Sequence, residues 1–170
     1  MGNLCVYCRI VIMALVIVFV PLCNVFAAIA PVELVVVYKS RQVLQLIKRN
    51  EVVKTYRCAI GRNLLGRKQR AGDCRTPEGA YVIDHHNRDS RFYKSLHVSY
   101  PNTRDIAFAK KLGYSPGGNI MIHGLPKGFE DLAEYHYKRN WTKGCIAVNN
   151  AEMDELWSAV PDGNPIEIKP

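Results

Sequence analysis

Residues 140–148 read NWTKGCIAV, a polar run that changes into an apolar, strand-like run at one glycine and one cysteine. An apolar run of this kind predicts a strand, and the glycine before it indicates a turn with unusual backbone geometry. Four interpretations of Cys145 are open: a small buried hydrophobe, half of a disulfide, a metal ligand or a nucleophile. The choice among them depends on what the rest of the chain places beside this cysteine.

Strand-like runs dominate the chain outward from this stretch. They are predicted at residues 32–40, 43–50, 52–60, 81–86, 92–100, 119–124, 145–148 and 165–169, with a turn at 49–51. Residues 61–81 are rich in Gly and Arg without periodicity, which predicts a long surface loop. Loops of this length are more often functional than idle.

Helix signals are fewer. Asn102 is typical of a helix N-cap and predicts a helix over 103–112, whereas the spacing of Asn149 and Glu152 predicts a capping box for a helix that runs to about residue 160. Residues 130–140 have a moderately helical pattern. The sequence therefore predicts a β-rich α+β domain with short helices inserted between strands.

Residues 1–30 differ in composition from the rest. One charged residue, Arg9, precedes an unbroken apolar run at 10–20, and small-residue patterns typical of cleavage sites follow at 25–30. This order predicts a secretory signal peptide, and the alternative is an uncleaved membrane anchor, for which the run is short. We expect an exported protein of the periplasm or cell envelope, with one domain over residues 31–170.

The formal net charge is +8 and becomes +7 once residues 1–30 are removed, because Arg9 is the one charged residue there. A basic exported domain suits anionic surroundings such as wall polymer or a phospholipid surface, although solubility explains the charge equally well. No nucleic-acid-binding motif is recognisable, so no nucleic-acid partner is predicted. Membrane contact is predicted only through the uncleaved-anchor alternative.

Three cysteines fall in residues 31–170: Cys58, Cys74 and Cys145. An odd number in an oxidising compartment leaves at least one thiol free or paired between chains. A Cys58–Cys74 disulfide and two separate thiols are both open. No metal site is predicted, because residues 31–170 have no C-x-x-C or H-E-x-x-H motif and the adjacent His85 and His86 point in different directions.

A second chemical group accompanies Cys145. His123 ends a predicted strand and precedes Gly124, whereas Cys145 begins a strand and follows Gly144. Two strand ends that lie side by side would bring an imidazole to a thiol, and the imidazole could then take the thiol proton and stabilise the thiolate. Spacing alone leaves a structural cysteine as the alternative.

The three segments IMIHG (120–124), WTKGCIAV (141–148) and TPEGAYVI (76–83) together resemble the signature of the L,D-transpeptidase catalytic domain family. The resemblance covers nearly all of residues 31–170. It implies a sandwich-like domain of mixed β-sheet with short helices.

The resemblance also implies a reaction. Cys145 would be the nucleophile and His123 its base, Thr142, Lys143 and Gly144 would shape the turn before the sulfur, and the small Gly124 would leave room beside the imidazole. Family members attack a peptidoglycan stem peptide after its diamino acid, release D-alanine and pass the thioester to an amine of a second stem or of a wall-attached lipoprotein. This chemistry needs no metal and no organic cofactor. Hydrolysis of the same wall-peptide or lipoprotein links is the alternative.

Substrate contacts are predicted at four further residues, each with a structural alternative. Arg88 and Arg91 are candidates for binding stem carboxylates, although most such charges lie on solvated surfaces. His97 is a candidate for the cleft, with a structural histidine as the alternative. Trp141 either contacts substrate or packs beneath the turn.

One position departs from the resemblance. Many members of the family have an arginine two residues after the cysteine, and this chain has Ala147. The sequence resembles a subgroup with Gly-Cys-Ile-Ala, some members of which are suspected of hydrolysis. Because side chains alternate along a strand, residue 147 is expected on the same face as Cys145, where losing a guanidinium would weaken the grip on a substrate carboxylate.

Overall fold

The computed structural model describes residues 31–170. The predicted signal peptide or anchor at 1–30 lies outside them. Within 31–170, no helix combines the length and the apolar composition that a membrane crossing requires.

Eight strands and two α-helices make up the domain. The strands are β1 (Leu34–Tyr38), β2 (Val43–Lys48), β3 (Glu51–Arg57), β4 (Gly79–Ser90), β5 (Tyr93–Val98), β6 (Ile120–His123), β7 (Ile146–Ala147) and β8 (Asn164–Lys169). The helices are α1 (Thr103–Lys111) and α2 (Asn150–Ala159), and two short 3₁₀ helices lie at Glu130–Leu132 and His136–Lys138.

All eight strands belong to one continuous mixed sheet in the order β3-β2-β1-β8-β4-β5-β6-β7. The β1–β8 and β6–β7 pairs are parallel, and the remaining neighbours are antiparallel. The predicted fold class, a β-rich mixed sheet with short inserted helices, is confirmed. Parallel neighbours require long connections, and the β6–β7 connection carries both 3₁₀ helices.

The local sequence was sufficient to predict the turn of one hairpin but not the length of another. The predicted turn between β2 and β3 is present, with Arg49 and Asn50 at φ 51° and 61°, values that a tight hairpin turn needs. Strand β4 continues beyond the predicted end at residue 86, because Asn87 pairs with Ser95 and Ser90 with Tyr93 on β5. Cross-strand pairing outweighs the polar composition of this stretch.

Alternate residues of the strands form one apolar core. Leu44, Leu96, Ile122 and Ile166 are 0 % exposed, as is Leu156 of α2. Together with the other members of one buried cluster they anchor both halves of the sheet and α2. Burying such side chains contributes roughly 1.5–3 kcal/mol each before the entropy of folding is subtracted.

Both predicted helix starts are confirmed. The Asn102 side chain accepts a hydrogen bond from the Asp105 N–H, and the Asn149 side chain accepts one from the Glu152 N–H. In each case the backbone N–H of the cap residue donates to the acidic side chain. The helical expectation for residues 130–140 is met only by the two 3₁₀ turns, because this segment has few buried side chains to pack a longer helix.

The three cysteines of residues 31–170 are free thiols. The hypothesised Cys58–Cys74 disulfide is therefore not formed. Cys58 is fully buried in the apolar core, whereas the Cys74 Sγ lies in the surface loop, 3.6 Å from the Gly72 carbonyl oxygen and 3.5 Å from Arg62 Nη2.

The capping box of α2 gives a testable prediction for stability. Asn149→Ala should lower the free energy of unfolding by about 1 kcal/mol, because the first turn of α2 loses a side-chain acceptor. Chemical denaturation of residues 31–170 measures the change. Asn63→Ala, at an exposed loop position, is the matched control, and equal stabilities of the two variants would contradict the assignment.

Candidate active site

The parallel pairing of β6 and β7 brings His123 and Cys145 together. Ile122 pairs with Ile146 and His123 with Ala147, so Cys145 lies one residue before the paired segment of β7. His123 and Cys145 line one open cleft of about 640 Å³. The structure thus unites the two residues that the sequence singled out.

The turn before Cys145 is held by close backbone contacts. Gly144 has φ 132°, and a Cβ added there would lie 2.7 Å from the Arg75 carbonyl oxygen, so only glycine fits. The Thr142 hydroxyl donates to the Cys145 carbonyl oxygen at 2.7 Å and accepts from the Gly144 N–H at 3.1 Å. The Gly144 amide is therefore engaged, which leaves the Cys145 N–H as the candidate oxyanion donor at this turn.

The long loop between β3 and β4 packs against the turn that precedes Cys145. Buried Lys68 pairs with Asp73 at 2.8 Å, and Asp73 also accepts hydrogen bonds from the Gln69 and Arg75 amides at 2.7 and 3.1 Å. These bonds fix the backbone whose Arg75 carbonyl contacts Gly144. The sequence prediction of a functional loop agrees with this contact.

The Cys145 thiol is held in a partly enclosed position. Its Sγ donates to the Asn119 carbonyl oxygen at 3.6 Å. Burial raises the pKa of this thiol above its ordinary value, and the Met121 backbone N–H and the positive charge of Lys68 partly oppose that change. The thiol is therefore protonated at neutral pH in the free protein.

His123 is buried between two aromatic rings. Phe92 stacks on its imidazole at 4.5 Å with a 30° interplanar angle, and Trp141 meets it edge-on at 5.7 Å. Its Nδ1 lies 2.7 Å from the Gly124 carbonyl oxygen. Because a carbonyl can only accept, Nδ1 carries the proton and Nε2 is free to act as a base.

Burial lowers the pKa of His123, and its hydrogen bond to Gly124 partly offsets that change. The thiol and the imidazole are thus both shifted towards their uncharged forms. The free protein holds a neutral pair in the cleft, so proton transfer would accompany attack on a substrate.

Gly124 has a packing role as well as its carbonyl bond. A Cβ at this position would lie 2.6 Å from Asn150 Oδ1 and 3.0 Å from the Tyr93 Cβ. Asn150 Oδ1 accepts from the Leu125 N–H at 2.8 Å. A larger residue would separate α2 from the end of β6.

The other predicted site residues divide into two groups. Arg91, Trp141, Thr142 and Lys143 line the cleft with Cys145 and His123. Arg88 and His97 do not.

Arg88 lies 6.0 Å from the Trp157 ring, and His97 bonds Asp84 at 2.6 Å, because the β4–β5 pairing directs both towards other partners. The structure thus places Arg88 and His97 outside the cleft that contains Cys145, and their substrate contacts stay predictions.

The sequence interpretation missed several residues of the cleft, namely Asn87, Asp89, Ser90, Phe92, Asn119 and Met121. Four of them belong to the β4–β5 hairpin, in which the sequence predicted a strand-to-loop passage before residue 92 and singled out only the two arginines. The available signal was an aromatic residue, Phe92, directly after a polar run.

One group of potential metal ligands occurs among residues 31–170: Asp84, His85 and His97, whose ligand atoms lie within 4.8 Å of one another. Hydrogen bonding accounts for this cluster. Both Nδ1 atoms contact the same Asp84 oxygen, at 3.0 and 2.6 Å. The two rings stack at an interplanar angle of 21°.

Ala147 is not beside the thiol in the cleft, contrary to the expectation from strand alternation. It is 0 % exposed and exchanges both backbone hydrogen bonds with Ala59, at 2.8 and 2.9 Å. A strand of only two residues between such close neighbours does not leave space for an arginine.

Comparison with known proteins gives the family to which this fold belongs. The family model of the YkuD L,D-transpeptidase catalytic domain matches residues 32–168. The chain therefore belongs to the L,D-transpeptidase catalytic domain family.

A curated relative from Escherichia coli K12, named "Putative L,D-transpeptidase YafK", is 32 % identical over 130 residues. The alignment covers 73 % of this chain and 45 % of the relative, so the chain matches less than half the length of that protein.

Solved structures show the same fold. The helical cell shape determining protein Pgp2 from Campylobacter jejuni superposes with a TM-score of 0.62 at 25 % identity, covering 82 % of this chain and 48 % of that one. An L,D-transpeptidase from Xylanimonas cellulosilytica gives a TM-score of 0.55 at 17 % identity, covering 82 % and 61 %.

The environment of the thiol predicts its pH dependence. Iodoacetamide reacts with the thiolate, so labelling of Cys145 should rise only above the pH range in which an ordinary thiol ionises, because burial raises the pKa of this thiol. Lys68→Met should move this rise to higher pH, because a buried positive charge is lost, and Lys68→Arg should restore it. Peptide mass spectrometry at Cys145 gives the rate separately from Cys58 and Cys74.

Lys110→Met, on the exposed side of α1, is the control for a general loss of charge. If the Lys68→Met profile superimposes on the wild-type profile, the ammonium does not act on this thiol.

Proposed function

We propose that this protein is a peptidoglycan-modifying cysteine acyltransferase of the cell envelope, in which Cys145 attacks a stem peptide and His123 is the base. The observation that carries the proposal is the placement of a thiol and an imidazole with a free Nε2 at neighbouring parallel strand ends in one cleft. Membership of the L,D-transpeptidase family supports it.

In the first half-reaction His123 Nε2 takes the thiol proton while the sulfur attacks the carbonyl carbon of the diamino acid, in its peptide bond to D-alanine. The Cys145 N–H stabilises the oxyanion that develops. The C–N bond then breaks, the imidazolium gives its proton to the departing D-alanine amine, and the stem stays on the sulfur as a thioester.

In the second half-reaction an amine of another stem, or of a wall-attached lipoprotein, gives a proton to His123 and attacks the thioester carbon. The C–S bond breaks, and the thiolate recovers the proton from the imidazolium. Neither half-reaction needs an electron acceptor, a metal or an organic cofactor. The neutral resting pair fits this sequence, because the proton returns to sulfur after each cycle.

The cleft also offers a basis for recognising the diamino acid. Arg91 and Asp89 line it near the end of the β4–β5 hairpin. A diamino diacid side chain ends in a carboxylate and an ammonium, which Arg91 and Asp89 complement in charge. Arg91 thus takes the role that the sequence comparison assigned to an arginine at position 147.

Hydrolysis of the same wall-peptide or wall-to-lipoprotein links is the second candidate function. Arg91 is the one arginine among the cleft-lining residues that the structure describes. A bound donor stem would occupy it and leave no second guanidinium for the carboxylate of an acceptor stem. Water needs no such group, so a weakly held acceptor favours hydrolysis.

The central experiment incubates the protein with tetrapeptide-containing muropeptides and follows products by mass spectrometry. The wild-type protein should release D-alanine and give either cross-linked products or tripeptides. Cys145→Ala and His123→Ala should each lower turnover by at least about a thousandfold, because one removes the nucleophile and the other its base.

Two matched variants serve as controls. Cys74→Ala removes another accessible thiol and His97→Ala removes a second imidazole, which is half-buried, and both lie outside the cleft. They should retain wild-type turnover. Activity that survives in Cys145→Ala, or is lost equally in Cys74→Ala, would refute Cys145 as the nucleophile.

Recognition of the diamino acid gives a separate prediction. Wild-type protein should prefer tetrapeptides whose third residue is a diamino diacid over those with lysine there, and Arg91→Gln should reduce the preference by about tenfold through loss of a bidentate carboxylate contact. Ratios of kcat/KM for the two peptides measure it. Arg88→Gln, whose side chain lies over Trp157, should keep the wild-type ratio.

A further inference from the structure

A second groove, of about 590 Å³, adjoins the cleft and has no role in the reaction described above. We call it the aromatic groove and define it by Leu125, Phe129, Leu132, Tyr135, His136 and Trp141. Trp141 lines the groove and the cleft alike. A molecule bound at Cys145 can therefore extend directly into the groove.

The groove presents apolar side chains to solvent. Phe129, Leu132 and Tyr135 are 52 %, 47 % and 54 % exposed, although all three belong to the one segment that connects β6 to β7. Scattered exposed apolar residues are ordinary, but a contiguous group beside a reactive cleft indicates a binding surface. Two of these side chains and Trp141 supply flat ring faces.

His136 adds an unsatisfied polar group to the wall of this groove. Its side chain is more than nine-tenths buried, and its Nδ1 has no hydrogen-bond partner within residues 31–170. An unpaired buried nitrogen costs free energy that a bound partner would recover. A half-turn about the Cβ–Cγ bond exchanges Nδ1 with Cδ2 and Nε2 with Cε1, so the ring can present a nitrogen at either edge.

His136 is an uncharged hydrogen-bonding group at neutral pH. Burial lowers its pKa to about 4, and the nearby His123 contributes to that change. A neutral imidazole suits a neutral ligand with hydroxyl or amide groups better than an anion. The groove thus combines ring faces with one neutral donor–acceptor.

We propose that the aromatic groove binds an N-acetylated hexose of the glycan strand to which the stem peptide is attached, a proposal that rests on the function proposed above. A pyranose ring has flat C–H faces that pack on aromatic rings and polar edges that can meet His136. The stem peptide itself consists of small and charged residues, which do not complement an apolar groove of this size.

Charge argues against the main competing occupant, the amine that resolves the thioester. Lys138 and Arg139 lie at the rim of the groove, and none of the residues that line it is acidic. A lysine side chain entering there would meet two like charges. A neutral sugar meets no such electrostatic repulsion.

The first test compares two substrates with an identical tetrapeptide, one free and one attached to its disaccharide. For wild-type protein, kcat/KM should be about tenfold higher for the disaccharide form, since a favourable contact of ordinary strength has that effect. Tyr135→Ala and His136→Phe should bring the ratio close to one. Tyr114→Ala is the matched control, because this tyrosine is similarly exposed, at 51 %, and lies outside the groove.

The second test does not depend on catalysis. Tri-N-acetylchitotriose should change the tryptophan fluorescence of Cys145→Ala protein, because Trp141 lines the groove. The change should disappear when Tyr135→Ala is added and persist when Tyr114→Ala is added. Circular dichroism confirms that each variant is folded.

The outcomes separate the two proposals. Turnover of both substrates with a wild-type ratio of one, or a ratio that Tyr135→Ala leaves unchanged, would overturn the sugar site and leave the enzyme function intact. Loss of all turnover with retained chitotriose binding would refute the function and support the site. Binding of a lysine peptide, but not of chitotriose, to the Tyr135-dependent surface would also overturn the proposed sugar site.

Discussion

The two-residue strand β7 is the constraint on which the site depends. It is held on one side by Ala59, which exchanges both backbone hydrogen bonds with Ala147, and on the other by β6, whose His123 carbonyl accepts from the Val148 N–H at 3.0 Å. Because the strand is so short, its neighbours fix its register completely. The position of the sulfur relative to the imidazole follows from that register, and small residues at 59 and 147 permit the close approach.

The cleft favours the uncharged forms of the Cys145 thiol and the His123 imidazole. Burying a thiolate and an imidazolium would cost several kcal/mol of desolvation unless their pairing repaid it. Burying the neutral pair avoids that cost. The contacts of Thr142, Gly144 and the Lys68–Asp73 loop fix the geometry of the turn that carries Cys145. In the function proposed above, reactivity then depends on a substrate that supplies the electrophile and excludes water, which limits side reactions of the sulfur.

Much of the fold followed from local sequence. The helix caps Asn102 and Asn149 and the turn at Arg49 and Asn50 were predicted correctly, because their signals act over a few residues. Cys145 and His123 were singled out by their glycine-flanked strand ends and by the family resemblance, and the structure places both in one cleft.

What sequence could not supply were the contacts that depend on distant pairing. Phe92 and Asp89 reach the cleft only because β4 extends to residue 90 and turns back on β5. Ala147 was misplaced for a related reason, since period-two alternation does not show which face of a strand a third segment covers. In this case that segment is Ala59, whose sequence position gave no sign of the contact.

The place of β8 in the sheet has a consequence for the order in which the sheet can form. This strand comes latest in chain order among the described elements, yet it lies between β1 and β4 and joins the two halves of the sheet. Until it arrives, β1 and β4 each present an unpaired edge. A polypeptide emerging from the ribosome therefore cannot close this sheet until β8 has been made.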